Sequence, residues 1–349
     1  MAALGDQFPT LIDVSRAMDP QGRIATVAEV LQKYNDVLDD IPWIEGNLPT
    51  GHLSVVRTSK PAGTFRMLNQ GIQASKATTG QITNSCGMLE ALSHIDVDVA
   101  KLNGNTAAFR FSQDKGFIEG LSDTFSDALI YGNVSTNPEQ FEGLAPRYFC
   151  LEGTTYTTSA QVIDGGGTGS DNTSIWLVGW GPQKAYGIFP KGSVSGLQHQ
   201  DDGIITISDP NNSGYFMKVY QSHFQWKCGI AIDDYRCVVR IANIDVSALL
   251  TASDTSDSSA NILKMMMMAL GKLPPRNGLR PVFYMNETVQ SMLAVKLLDK
   301  SNVWLSMGEI KGTPVFRPTG TLMFQGVPCR RIDSITSTES AITTETTPS

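Results

Sequence analysis

One segment constrains this chain more than any other. Between Ala107 and Tyr131, Phe117, Leu121, Phe125 and Leu129 recur at four-residue spacing, and Ile118 and Ala128 widen the same apolar stripe. That period marks an amphipathic helix with one face against a core. At about 1.5 Å per residue it predicts a strut of ~37 Å. Gly116 and Gly120 weaken it, each by about 1 kcal/mol relative to alanine, and leave a break near Gly116 open. Gly132 stands where a left-handed cap would end the helix, and Asn133 to Gly143 reads as a turn-rich link into EGLAPRY. On pattern alone, a long surface helix of an enzyme fits equally.

With 349 residues the chain can form two or more packed cores, burying on the order of 75% of its unfolded surface. Charged residues make up 17%, against roughly 25% in an average protein, which leaves neutral surface for neighbours to cover. A net charge of -7 speaks against a general nucleic-acid binder, which needs a basic footprint. Cys86, Cys150, Cys228, Cys237 and Cys329 are odd in number and show no CxxC pair. They read as buried thiols of a reducing compartment rather than a disulfide framework. The opening MAALGDQFPTL has no basic n-region or apolar h-region, and no run of 18 apolar residues occurs. The expectation is a chain that folds in a cytoplasm, without signal peptide or membrane span.

Charge is unevenly placed. Residues 1–45 are acidic, Asp36, Asp39 and Asp40 among them, and carry one helical stripe of Ile24, Val27, Leu31, Tyr34 and Leu38. From Gly46 to Leu89 there is no acidic residue, while Arg57, Lys60, Arg66 and Lys76 are positive. HLSVVRT, ITNSC and HIDVDV are strand-like, and SKPAGTFRMLNQGIQASKATTG between them has little apolar content with which to pack a core. A projecting hairpin follows, and a loop longer than about twenty residues is either functional or disordered. An exposed ion pair contributes only about 0–1 kcal/mol, so arm and loop charges would set register while apolar and main-chain contacts hold.

Beyond Cys150 the chain is β-rich. IDGGGTGSDNTS is a glycine loop, SIWLVGW and AYGIFP are strands, and SDPNNSG is a turn. In Tyr215 to Ile244, Phe216, Tyr220, Phe224, Trp226, Ile230 and Ile232 share one face, and Asp233-Asp234 suggests a turn into YRCVVRIANI, making one long hairpin. Ser256 to Leu270 reads as a helix stopped by Gly271, its four methionines filling a core. RPVFYMNETVQSMLAVKLLDK is a strand leading into a helix capped by Asn286, and TLMFQGVPCRRIDSI a strand pair around Gly326-Val327-Pro328. The Ser/Thr-rich stretch after Thr336 is expected to be mobile.

Three features together carry a resemblance: the helix ending LIYGN with EGL after it, the strand-helix PVFYMNETVQSML followed by FQGVPCRRID, and the run HFQWKCGIAIDDYRCVVRIANID. They resemble tailed-phage major capsid proteins of the Hong Kong 97 fold, of the epsilon 15 and Bordetella podophage type. The resemblance implies an α+β fold with an N-terminal arm (1–45), an extended hairpin loop with flanking strands (46–100), and a peripheral domain with a long spine helix (101–150). It further implies a β-rich segment (151–213), a long peripheral hairpin (214–245), an axial domain (246–335) and a flexible tail (336–349). The long hairpin precedes the axial helices here, whereas it follows them in the founding member, so the chain order is read as permuted.

Function expectations follow from the same resemblance. They are a shell subunit forming pentamers and hexamers of an icosahedral virion around double-stranded DNA held without sequence-specific contacts, with portal, decoration or cement proteins, and no membrane. No long charged coiled-coil leader is present, so scaffolding would be a separate protein. Arg57, Lys60, Arg66 and Lys76, facing Asp36, Asp39 and Asp40 of a neighbour, are the expected inter-subunit contacts. An encapsulin-like compartment shell shares the fold, and a soluble enzyme or binding module is the remaining class. Catalysis lacks material: His52, His94, His199 and His223 sit in unrelated segments without ligand spacing. Asp96 and Asp98 read as one solvated strand face, and Gly165 to Gly169 lacks the GK[ST] of a phosphate loop. No catalytic residue, cofactor or metal is expected, and Lys60 and Lys76 lack the acidic neighbour a covalent crosslink would need.

Overall fold

The computed structural model describes residues 35–102, 106–151, 156–209, 214–251, 261–275, 278–297, 305–308 and 321–344. The stripe from Ile24 to Tyr34 and the polar stretch before Asn261 lie outside them. A 3-10 turn at Asp36–Asp39 precedes strands β1 (Trp43–Glu45), β2 (Gly51–Ser59), β3 (Thr78–Ser85) and β4 (Gly87–Asp96). Helices α1 (Val97–Lys101) and α2 (Thr106–Tyr131) follow, then β5 (Val162–Asp164), β6 (Asn172–Trp180), β7 (Ala185–Phe189), β8 (Gln198–Ser208), β9 (Phe216–Ile232) and β10 (Val238–Asp245). The last third holds α3 (Val246–Thr251), α4 (Ile262–Lys272), β11 (Arg280–Met285), α5 (Glu287–Leu297), β12 (Leu305–Gly308), β13 (Thr321–Phe324) and β14 (Val327–Arg331). Two compact units result, one from residues 88–125 and 194–227, the other from residues 35–87, 126–193 and 228–344.

In the larger unit β6 lies between β10 and β11, antiparallel to both, and β14 runs parallel to β11. Every residue of β6 is buried. That explains the unbroken apolar run SIWLVGW, since a strand covered on both faces does not alternate. Ile175, Leu177, Val239, Ile241, Phe283 and Met285 form one core with α4 and α5. Met265 and Met266 join it, whereas Met267 and Met268 are exposed, because a helical period turns only part of such a run inward. Asn261 and Asn286 cap α4 and α5, their Oδ1 atoms accepting from Lys264 N at 3.1 Å and Val289 N at 3.0 Å. Gly271 does not stop α4, which ends at Lys272 ahead of Pro274 and Pro275. Between β13 and β14 the turn sits at Gln325 and Gly326, whose φ values of 50° and 74° suit a tight hairpin, so Val327 and Pro328 already belong to the strand.

The smaller unit packs α2 on β9. Phe117 stacks on Phe224 at 6.2 Å and Phe125 on Trp226 at 4.6 Å, while Ile95, Ala100 and Phe109 form a second cluster. Arg110 donates to Asp201 at 2.7 Å and to Ser222 at 3.2 Å. The face assignment of β9 holds from Ser222 to Trp226, but its partner is corrected: β9 pairs with β8, from Ser208↔Phe216 to Gln198↔Gln225. It makes no hairpin with β10. Asp233-Asp234 leads instead into a 3-10 turn at Tyr235–Cys237, after which β10 joins β6. Asp96 and Asp98 do not share a strand face either, for Asp96 ends β4 and caps α1 by accepting from Asp98 N at 2.7 Å.

Helix α2 is unbroken through Gly116 and Gly120, giving a strut of about 39 Å at 1.5 Å per residue. Its end corrects the expected cap, since Gly132 is absent from the positive-φ glycines. Close approach is what demands glycine there: a Cβ would lie 2.4 Å from the Ala128 carbonyl oxygen and 2.6 Å from that of Phe141. The EGLA segment returns to the helix end, where Gly143, Leu144 and Ala145 donate N–H groups to the carbonyls of Gly132, Leu129 and Ile130 at 2.8, 2.9 and 2.7 Å. Carbonyls that would otherwise be orphaned at a helix terminus are thereby satisfied.

The Ser/Thr-rich tail is also corrected. Residues 336–344 are stitched to the larger unit by main-chain bridges at Asn172↔Glu339 and Leu151↔Thr344. Asn243 Nδ2 donates to the Ile342 carbonyl at 2.9 Å, and Ile342 N donates back to Asn243 Oδ1 at 2.7 Å. Glu339 reaches inward to accept from Arg240 and Ser174, so a polar segment is ordered by specific bonds rather than by apolar content.

Candidate subunit interface

Strands β2 and β3 pair antiparallel from Gly51↔Ser85 to Ser59↔Thr78 as a two-stranded ribbon. Every residue from Arg57 to Thr79 is exposed. Arg57, Lys60, Arg66 and Lys76 all lie in this stretch, and none has a carboxylate partner among the described residues. The loop is less polar than its composition suggests: Phe65 and Leu68 are fully or nearly fully exposed, and Met67 and Ile72 largely so. Four large apolar side chains thus stand in water within eight residues of chain.

The ribbon's root is built differently. Moving outward, Ser54 is the last buried residue of β2 and Asn84 the last of β3. Each is held by a charged side chain of the larger unit. Asp233 accepts from the Ser54 hydroxyl through Oδ1 at 2.5 Å and from the Tyr186 hydroxyl through Oδ2 at 2.9 Å. Arg147 Nη1 donates to Asn84 Oδ1 at 2.9 Å, and its Nη2 donates to the Glu142 carbonyl at 3.2 Å. Burial pushes the Arg147 guanidinium below its ordinary range. The EGLAPRY segment therefore does two things: its first half closes the end of α2 and its arginine grips the ribbon.

Of the acidic residues expected to face the loop, Asp39 is exposed and Asp36 half-buried in the 3-10 turn. Asp40 is occupied within its own chain, ion-paired with Arg330 Nε at 2.9 Å and accepting from the Tyr284 hydroxyl at 2.9 Å. Desolvation raises its carboxyl above the ordinary value, opposed by the Arg330 charge. The roles of Asp233 and Arg147 were hidden in the sequence, the first inside an apparent turn and the second among unremarkable surface types.

Other chemistry-bearing residues take structural places. His94 Nε2 bonds Gln221 Oε1 at 2.8 Å, and His223 lies 3.5 Å from Glu90. The glycine loop wraps a main-chain oxygen: Cβ atoms on Gly165 and Gly167 would come within 2.6 and 2.8 Å of the Asn243 carbonyl. Among the described residues no three His, Cys, Asp or Glu side chains converge as metal ligands, and no helix is long and apolar enough to cross a membrane.

A model of the family described as Major capsid protein GP7 matches residues 19–343. Among solved structures, that of bacteriophage Epsilon15 aligns over 98% of this chain and 99% of its own, at 30% identity and a TM-score of 0.75. Weaker likenesses include the bacteriophage JBD30 capsid, at 9% identity and a TM-score of 0.41, covering 95% of this chain and 96% of that one. Another is the holo-SrpI encapsulin complex of Synechococcus elongatus PCC 7942, at 10% identity and a TM-score of 0.44, covering 67% and 94%. No curated protein sequence matches. The α+β Hong Kong 97-like capsid architecture expected from the sequence agrees with the Epsilon15 match, and the encapsulin likeness is distant by comparison. Family and fold thus converge on one identity: the chain belongs to the GP7 family of phage major capsid proteins.

Proposed function

We propose that this capsid subunit assembles into pentamers and hexamers of an icosahedral head that encloses double-stranded DNA, and that the exposed β2–β3 ribbon is what clamps one subunit to the next. The observation that carries this reading is the ribbon's loop, where Phe65, Met67, Leu68 and Ile72 stand in water beside Arg57, Lys60, Arg66 and Lys76. Burying such an apolar side chain gains about 1.5–3 kcal/mol, more than an exposed ion pair gives. Apolar contact would therefore supply the grip and the cations its register, against Asp36 and Asp39 or other carboxylates of the neighbouring copy. Many weak copies of one contact then make a stable lattice. A net charge of -7 suits a container from which DNA must leave freely.

In this reading the chain performs no catalysis and the shell is noncovalent. Portal, scaffolding and decoration or cement proteins are its partners, and assembly takes place in the host cytoplasm. The test is expression followed by size-exclusion chromatography and negative-stain microscopy, with Arg57, Lys60 and Arg66 reversed together to Glu in a second preparation. Wild-type protein should give closed shells, and the triple variant folded but unassembled subunits. Wild-type shell yield from the variant would discard the clamp, and a cargo enzyme recovered in native particles instead of DNA would discard the head.

A further inference from the structure

We propose that Ser54 with Asp233, and Asn84 with Arg147, form a two-point polar pivot that sets the angle at which the β2–β3 ribbon leaves its subunit, and thereby the curvature of the shell. This rests on the reading that the ribbon contacts a neighbouring copy.

Burial stops abruptly along the ribbon. Ser54 and Asn84 are 7% and 2% exposed, whereas Val55 and Ile82, the apolar residues just beyond them on β2 and β3, are 64% and 42% exposed. Apolar packing therefore does not aim the ribbon past this line. Polar contacts do, and they differ from packing in a way that matters: burial is non-directional, while a hydrogen bond weakens steeply when its angle or length is wrong. Both carboxylate oxygens of Asp233 are engaged, one by Ser54 and one by Tyr186, and its main-chain N donates to the Lys184 carbonyl at 2.8 Å. Asp233 thus cannot turn to follow a moving serine without losing a second bond. Arg147 is fixed likewise by the Glu142 carbonyl, and its own N–H donates to the Leu144 carbonyl at 3.2 Å, within the segment that closes the end of α2.

Two grips, one on each strand, fix an orientation where one would leave a swivel. They are of opposite charge, so a ribbon displaced or paired out of register brings Ser54 or Asn84 away from its matching group. Leverage makes the aim important. Five residues of β2 lie beyond Ser54, about 17 Å at 3.4 Å per residue. A swing of about 10° at the root would move the far end of the pairing by about 3 Å, which is as long as a hydrogen bond itself. An interface at the loop would not survive that error unchanged. Closed shells form from heterologous contacts only when the rotation between copies is correct, and the pivot is where this chain sets it.

Ser54→Ala removes one grip without leaving a buried charge unpaired, since Asp233 keeps Tyr186. Ser54→Thr retains the hydroxyl and serves as rescue. Ser159→Ala, which removes another buried hydroxyl bonded to a carbonyl at 2.7 Å, is the matched control away from the ribbon. Each variant is purified as full-length chain and assembled, and particle diameters are measured by electron microscopy alongside amide exchange at residues 53–56. The expected result is at least a twofold broader diameter distribution, with open or irregular shells and faster root exchange, for Ser54→Ala alone. A distribution as narrow as wild type for Ser54→Ala, or equal broadening by Ser159→Ala, would overturn the pivot. The Arg57, Lys60 and Arg66 reversal separates the two claims. If it fails to assemble while Ser54→Ala shells are uniform, the pivot falls alone; if it assembles normally, the clamp falls and the pivot with it.

Discussion

Arg240 and Glu339 meet at 2.9 Å across 99 residues of sequence, and both side chains are more than nine-tenths buried. Around the pair, Arg240 also donates to Ser174 at 3.1 Å and to the Tyr148 carbonyl at 3.0 Å, and its guanidinium lies over the Trp176 ring at 4.9 Å. Glu339 accepts in addition from Tyr131, the last residue of α2, and from Ser174, both at 2.5 Å. Removing one partner of such a pair leaves a buried charge without compensation.

Glu339→Ala should therefore lower the unfolding free energy of the isolated subunit by about 3–5 kcal/mol. Urea titration of the unassembled chain checks this. The midpoint should fall with the slope unchanged, as expected when the same surface is exposed on unfolding. A change below about 1 kcal/mol would mean that the segment around Glu339 is not held as described.

Glycines of α2 and its end should respond in opposite directions. Gly116 and Gly120 are helical, and an added Cβ at either meets nothing within 4 Å. Replacement by alanine should stabilise the subunit by up to about 1 kcal/mol each. Gly132→Ala places a methyl against two carbonyl oxygens and should cost about 1–3 kcal/mol. Thermal midpoints of the three variants, measured on unassembled protein, give the comparison.

Acid should weaken the fold through depressed carboxylates. Asp234 is held below its ordinary value chiefly by the side-chain hydrogen bonds from Arg236, and Asp201 chiefly by that from Arg110. A folded-state value below the unfolded one near 3.9 means a stabilising contribution that is complete above that pH. It is lost as pH falls through the lower, folded value. Asp234→Asn should reduce stability at neutral pH and flatten the acid limb of the stability curve below about pH 4. An acid limb identical to wild type would exclude Asp234 as a contributor.

Thiol chemistry should be slow in the native chain. All five cysteines are free, and burial pushes Cys86 and Cys237 up to about 11 and Cys329 up to about 12, with Cys228 raised further. The thiolate is the nucleophile, and little of it exists at neutral pH under these conditions. Iodoacetamide at pH 7.5 should leave Cys86, Cys228, Cys237 and Cys329 largely unmodified by mass spectrometry until the chain is denatured. Fast native labelling at Cys237 would contradict its placement.

Local periodicity carried much of the architecture. The stripe Phe117, Leu121 and Phe125 located α2, and parity located the buried face of β9 from Ser222 to Trp226 but not at Phe216, which is exposed, or at Val219, which is buried. What stayed hidden were partners. Strand β8, QHQDDGIITIS, is mostly polar and largely exposed, so no apolar alternation announces it, and Asp233-Asp234 then made β10 look like the mate of β9. The segment around Glu339 was concealed for the same reason, as its order comes from a salt bridge and main-chain bonds to residues far away in sequence. Of the candidate interface, the cations of the loop were visible by composition. Phe65 and Leu68 passed unnoticed among polar neighbours, and Ser54 and Asn84 are ordinary strand residues until Asp233 and Arg147 stand behind them.

The ribbon root is shielded from solvent while Arg57, Lys60, Arg66 and Lys76 stand in it. Dissolved ions largely screen exposed charges more than about 8 Å apart at physiological strength and act far less on buried ones. Concentrated salt should thus loosen the fit that the loop cations set at the tip while leaving the aim of the base in place. Fit and aim would be separately adjustable in one protein, the first by its medium and the second only by its genes.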